Sequence, residues 1–354
     1  MKMRNLILKF AVVAAAVVFA VSCAKDGKPS QDANTGVYVL NNGSFGKNNA
    51  NICRYDVASG KVSADAFALA NDGLGLGDTA QDIIAVGDEI YISVNVSQVI
   101  FVTDRDLKVK KTITAEAGGN KLSPRYLCYA GGKVYVTYYE GFLGEINPSD
   151  HSVCITPVGP NPDMLAFHDG KIYTADSGGY LETPNNSISV VDVATFKRTG
   201  EIAVNNNPTA MAVSAGKLFV FSFGIYGVSP AKLQAIDLSA AKPEAKDLDY
   251  SDVTGIAARG NTLYVLCSGH DEKWTPLPAK VYKYDAVAGK KDGEFVTDGT
   301  VIPQGYSISL SDNYLWVGNS DYVNNGDVYA FDLSSGKLVA KFDCGGLNPL
   351  KVIE

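Results

Sequence analysis

Ser187–Phe223 reads SISVVDVATFKRTGEIAVNNNPTAMAVSAGKLFVFSF and holds four short apolar runs parted by turn residues. Ser187–Val193 alternates and ends at Asp192-Val193-Ala194-Thr195, and Thr199–Val204 closes on Asn205-Asn206-Asn207-Pro208. Thr209–Val213 ends at Ala215-Gly216-Lys217, and Leu218–Phe223 follows. Runs this short, rich in Val, Ile, Phe and Thr and bounded by Gly, Asn and Pro, predict antiparallel strands. Helices need longer periodic segments.

The rest of the chain repeats this unit. Its fourth run recurs as VYVLNN at Val37, IYISVN at Ile90, VYVTYY at Val134, IYTADS at Ile172, LFVFSF at Leu218, LYVLCS at Leu263 and LWVGNS at Leu315. The last six copies each follow a turn such as GGK, DGK or GNT, and before that turn lies a further apolar run. After each copy comes a run that closes near an Asp, as in CRYDVASG, SVVDVAT and YAFDLSSG. Four strands repeating about every 45 residues are the signature of a β-propeller blade. The expected fold is therefore all-β: a seven-bladed β-propeller of four-stranded antiparallel blades spanning residues 36–354.

The first copy, at Val37, has no strand of its own ahead of it. The tail Asn348-Pro349-Leu350-Lys351-Val352-Ile353 matches Asn207-Pro208-Thr209-Ala210-Met211-Ala212-Val213 in position and pattern. The tail is thus expected to supply the innermost strand of the first blade, so that the ring is closed by the C-terminal strand and leaves no open sheet edge.

Of 354 residues, 46% are hydrophobic and 19% charged, enough apolar material for a large core. The formal charge is -7, and without Lys2, Arg4 and Lys9 the balance of 28 basic against 38 acidic residues is -10. That composition argues against nucleic acid, which needs a basic face. The three basic residues precede the apolar run Phe10–Val21, which is too short to span a bilayer and reads as a signal peptide over residues 1–22. Ala20-Val21-Ser22-Cys23 resembles a bacterial lipoprotein box, with Ala20 where that pattern prefers Leu. The resemblance implies lipidation at Cys23 and a membrane anchor, with residues 23–35 as a polar tether. Ala24-Lys25-Asp26-Gly27 resembles the acidic signal that sends lipoproteins of some gut Gram-negative bacteria to the outer face, which implies an outer-membrane location facing the cell exterior.

Catalytic signals are sparse. His151, His168 and His270 lie in different repeats with no helical i, i+4 spacing and no evident carboxylate partner, so no metal site is expected. No nucleophile elbow, phosphate loop or dinucleotide fingerprint stands in its proper context. Gly73-Leu74-Gly75-Leu76-Gly77 has no helix after it and reads as a flexible insertion between blades. Asp321, Asn324, Asn325 and Asp327 lack EF-hand spacing, although a loop of that make-up could ligate calcium. His270 and Glu272 are the nearest match to the His and Glu of propeller lyases, which makes a lyase the weaker alternative. Cys53, Cys128, Cys154, Cys267 and Cys344 are odd in number and widely spaced, and they read as small core hydrophobes.

In a propeller, the loop before each innermost strand and the loop after each second strand emerge on one face. Here those loops gather aromatic rings among Asn, Asp and Ser, whereas the other face receives short turns. The candidate ligand-binding residues are Phe45, Gln81, Arg125, Tyr139, Asp163, Tyr180, Tyr226, Trp274, Gln304 and Tyr322. Such a set suits a large ligand with apolar edges and amide or hydroxyl groups.

ISVVDVATFKRTGEIAVNNNPTAMAVSAGKLFV resembles the YVTN repeat of YncE-like seven-bladed propellers through nearly a whole blade. Together with the lipoprotein box and the Asn41–Gly46 start NNGSFG, the chain is similar to BtuG-type surface lipoproteins. That resemblance implies a non-catalytic protein that binds cobalamin or another corrinoid and hands it to a TonB-dependent outer-membrane transporter. A protein- or glycan-binding propeller serving another uptake system is the alternative. For a corrinoid, Tyr, Phe and Trp would meet the ring faces, and Asn, Asp and Arg the side-chain amides.

Overall fold

The computed structural model describes Gly36–Gly179 and Leu181–Glu354. The expected signal peptide, the tether with Cys23, and Tyr180 lie outside the described residues. Seven four-stranded antiparallel sheets form the seven blades. The repeated run is the second strand of each: Gly36–Asn41, Glu89–Val94, Lys133–Tyr138, Lys171–Asp176, Lys217–Ser222, Thr262–Cys267 and Tyr314–Asn319. These strands are almost wholly buried, since blades pack on both of their faces. Outer strands such as Lys197–Ala203 and Lys290–Glu294 are mostly or wholly exposed, and the channel-lining Ala80–Val86 and Pro124–Ala130 are only part-buried, so burial peaks at the second strand.

The core is divided between the blades. Each of the seven interfaces has its own apolar cluster, from Tyr38, Ile52, Ile83 and Ile92 between blades 1 and 2 to Val39, Cys53, Trp316 and Val328 between blades 7 and 1. The Asp that closes the third strands has a local task. Asp56, Asp192, Asp237 and Asp332 each accept a backbone N–H and a Ser or Thr hydroxyl two or three residues on. That bond pattern turns the chain into the outer strand, which is why the repeat carries Asp there.

The tail closes the ring. Pro349–Ile353 pairs antiparallel with Gly36–Asn41 and completes the first blade. One cavity of about 480 Å³ is lined by Asp82, Leu127, Leu165, Met211, Ile256, Ile308 and Val352, one residue from the innermost strand of each blade. Closure also has polar ties. Lys351 Nζ lies 2.7 Å from Asp82 Oδ1, whose other oxygen accepts Leu127 N–H at 2.8 Å, so blades 1, 2 and 3 are linked across the channel. Ser307 Oγ donates to Pro349 O at 2.5 Å. Gly318 makes room for that carbonyl, because a Cβ there would sit 2.3 Å from it. Lys351→Met should cost about 2 kcal/mol of stability by leaving the buried Asp82 without its cation. Urea denaturation checks this, and an unshifted midpoint would exclude a structural role for the pair.

Three expectations change. A short helix, Ala66–Ala70, precedes the glycine-rich segment, which is no loose insertion: Phe67 and Leu76 are fully buried between blades 1 and 2. His151 does have a carboxylate partner, Glu89 at 3.1 Å, which ties blade 3 to blade 2 and has no metal-site geometry. Cys53 and Cys344 are buried as expected, but Cys154 is exposed on an outer strand.

Candidate ligand-binding site

Every innermost strand begins with the same irregularity. The register slips directly after the first residue at Ala80, Pro124, Pro162, Pro208, Val253 and Gly305, and the pairing of Gly36–Asn41 with the tail slips at Asn41, opposite Pro349. A bulge adds a residue that the ladder cannot pair and turns its side chain aside. The residues so released are Gln81, Arg125, Asp163, Thr209, Thr254, Tyr306 and Leu350. All seven line the upper channel or the cleft above it.

A second ring stands above the first. The residue after each second strand gives its N–H to the residue ahead of the innermost strand: Asn42 to Asn348, Asn95 to Thr79, Tyr139 to Ser123, Ser177 to Asn161, Phe223 to Asn207, Ser268 to Asp252 and Ser320 to Gln304. Several acceptors hold positive φ, including Asn161, Asn207 and Asn348, and Asn tolerates that region better than most side chains. This accounts for the Asn-Pro pair in the repeat.

The two rings meet in a cleft of about 670 Å³ over blades 1 to 5. Five predicted residues come together there: Phe45, Gln81, Arg125, Tyr139 and Asp163. Asn42, Asn95, Asn207 and Phe223 join them. These four sit in the loops read from sequence but were not singled out, and their signal is the fixed position beside each strand end. Asn42 Nδ2 donates to Ala80 O at 2.6 Å and Asn95 Nδ2 to Pro124 O at 3.2 Å. Their Oδ1 atoms have no donor among the described residues. Gln81 Nε2 similarly donates to Tyr126 Oη at 2.9 Å. The cleft therefore combines amide oxygens with the exposed ring of Phe45 and the half-exposed ring of Phe223.

Its one ion pair among the described residues is Arg125–Asp163, at 3.1 Å. The guanidinium lies 5.7 Å from the Tyr139 ring centre and 5.9 Å from that of Tyr126. Burial pushes the Asp163 carboxyl up to about 6, and Arg125 only partly offsets it. Gly179 at positive φ leaves space for Tyr139, because a Cβ there would lie 2.6 Å from its hydroxyl.

The other predicted residues stand elsewhere. Tyr226, Trp274 and Tyr322 are exposed on the loops of blades 5, 6 and 7, outside the cleft. Tyr322 packs edge-on against Tyr306, with ring centres 5.6 Å apart. Gln304 falls one residue short of its strand, where its N–H donates to Asn319 Oδ1, and Tyr306 takes the place on the channel. His270 and Glu272 are exposed on the loop of blade 6, not in the channel as a lyase site would need. Both oxygens of Asp321 accept donors from its own loop, Val323 N, Asn324 N and Asn324 Nδ2.

The sequence matches the family described as "Domain of unknown function (DUF5074)" over residues 35–344. The chain belongs to this family. A search of the curated proteins finds no match. Among solved structures, the chain is similar to the computationally designed Ika8 protein, at 14% identity and a TM-score of 0.57, with 88% of each chain covered. It is also similar to hydrazine synthase of Kuenenia stuttgartiensis, at 16% identity and a TM-score of 0.59, covering 74% of this chain and 85% of that one. A third is the dihydro-heme d1 dehydrogenase NirN in complex with DHE, at 13% identity and a TM-score of 0.55, covering 87% and 75%. At such identities the likeness is one of fold alone. No catalytic family is identified.

Proposed function

We propose that this DUF5074 propeller is a non-catalytic surface lipoprotein that binds a corrinoid, cobalamin or a relative, in the cleft over blades 1 to 5 and passes it to a TonB-dependent outer-membrane transporter. The observation that carries the reading is the cleft's make-up. Amide oxygens of Asn42 and Asn95, without a donor among the described residues, stand beside the rings of Phe45, Tyr139 and Phe223. A corrinoid offers the complement, a broad apolar ring edged by carboxamide N–H groups. Lipidation at Cys23 would hold the propeller on the outer membrane, facing out, with residues 23–35 as its tether.

Gel filtration with cyanocobalamin, read at the visible absorbance of the corrin, tests this. Co-elution is expected, and neither co-elution nor heat of binding at micromolar concentration would overturn it. Phe223→Ala should weaken binding about tenfold through loss of one ring contact. Its thermal midpoint should stay near that of the parent, because Phe223 is 55% exposed.

The exposed Tyr226, Trp274 and Tyr322, outside the cleft, favour a second reading as a protein- or glycan-docking propeller. A glycan array and a pull-down with TonB-dependent transporters separate the two.

A further inference from the structure

Arg125 is held from several sides and yet keeps its donors. Its carbonyl accepts the Ser93 hydroxyl, and the carbonyl of Asp163 accepts Thr137 Oγ1 at 2.8 Å, so both backbones are fixed to neighbouring second strands. The side chain of Arg125 is 17% exposed and that of Asp163 9%. Among the described residues the guanidinium makes no aligned hydrogen bond. Its contact with Asp163 Oδ1 is close but off-axis, and that buried oxygen has no hydrogen-bond partner. An arginine with five N–H groups, set beside two rings at the floor of a cleft, fits a planar or tetrahedral oxyanion.

We propose that Arg125 and Asp163 form a proton-coupled anion receptor: a phosphodiester of the ligand engages the guanidinium from the cleft, and Asp163, no longer compensated, takes a proton from solvent. The proposal rests on the corrinoid reading, since a complete corrinoid carries one phosphodiester in its nucleotide loop. Electrostatics requires the coupling. Among the described residues, the other charged or titratable groups nearby are Tyr126 and Tyr139 on blade 3, Tyr306 of blade 7 on the same cavity and, farther off, Asp82, already paired with Lys351. None of these supplies a second cation to the pair. An anion added to a balanced buried pair leaves one excess negative charge, and protonation of Asp163 removes it. That carboxyl, pushed up to about 6 by burial, is already close to protonation at neutral pH.

The test compares cyanocobalamin with dicyanocobinamide, which has the same ring without the phosphodiester, by calorimetry in buffers of different ionisation enthalpy. Cobalamin affinity should fall about tenfold per pH unit between about pH 6.5 and 8.5, with close to one proton taken up per ligand. Cobinamide should bind more weakly than cobalamin at the acidic end and take up no proton. Arg125→Gln should erase the difference between the two ligands, and Asp163→Asn should make cobalamin binding independent of pH. Cobalamin affinity that ignores pH, or a preference that survives in Arg125→Gln, overturns the receptor while leaving corrinoid binding intact. If neither corrinoid binds, the corrinoid reading fails by itself. Dimethyl phosphate titrated against the Asp163 carboxyl carbon resonance then decides the receptor. A protonation shift that is lost in Arg125→Gln supports it, and no shift overturns it.

Discussion

Removal of Asn348–Glu354 should collapse the propeller rather than trim it, with a fall in thermal midpoint far beyond that of any single core substitution. The deleted strand pairs Tyr38, Val39, Leu40 and Asn41, all buried, and its loss would turn the central first-blade strand into an open edge. The loss is not confined to that ladder. Asn42 N–H loses Asn348 O, the Ser307 hydroxyl loses Pro349 O, and Asp82 loses Lys351. Each buried polar group left without a partner costs about 1–3 kcal/mol. The apolar cluster between blades 7 and 1 also loses Val352, which is 4% exposed. Together these losses are on the order of the whole stability of an ordinary domain, about 5–15 kcal/mol. Circular dichroism during heating reads the result, and an unchanged midpoint would show that the tail is dispensable to closure.

The repeat was legible because blade geometry imposes one burial pattern seven times. A second strand packed on both faces must be apolar throughout, and a hairpin into an exposed outer strand recruits Asp. Even the closing strand could be read, because Asn348–Ile353 carries the same positional pattern as Asn207–Val213. The face was legible too, from which ends of the strands the loops join. What the sequence hid is the bulge. A register slip after the first residue of a strand leaves no mark in hydrophobicity, so the sequence points to Gln304, whereas Tyr306 lines the channel. Loop folding was equally hidden. Tyr226 and Trp274 share composition with Phe45 and Tyr139, but their own loops carry them away from the cleft. The His151–Glu89 pair joins residues 62 positions apart, and no local pattern announces it.

The fold should become more stable, not less, as pH falls from about 7 towards 5, because two buried carboxyls resist ionisation. Asp163 and Asp176 both rise from an ordinary 3.8 to about 6, each chiefly through burial. Between those values the folded chain holds protons that the unfolded chain has released. Stability therefore drops as pH rises through that window, and at pH 7 and above each group weighs against folding by up to about 3 kcal/mol. Opposite in sign are the turn carboxylates such as Asp56, Asp192 and Asp332, held below their usual range by the donors of their own turns. Their contribution is lost only as pH falls below about 4, so the optimum should lie between about pH 4 and 5.5. Asp176→Asn isolates the effect better than Asp163→Asn, which would strip Arg125 of its partner. Asp176 is met by the hydroxyls of Thr174 at 2.9 Å and Ser189 at 2.6 Å, which can turn to suit an amide. That variant should exceed the parent by about 2 kcal/mol at pH 8 and match it at pH 4.5. Urea denaturation at the two pH values measures both differences. An equal gap at both would mean that Asp176 is ionised throughout, its burial balanced by those hydroxyls.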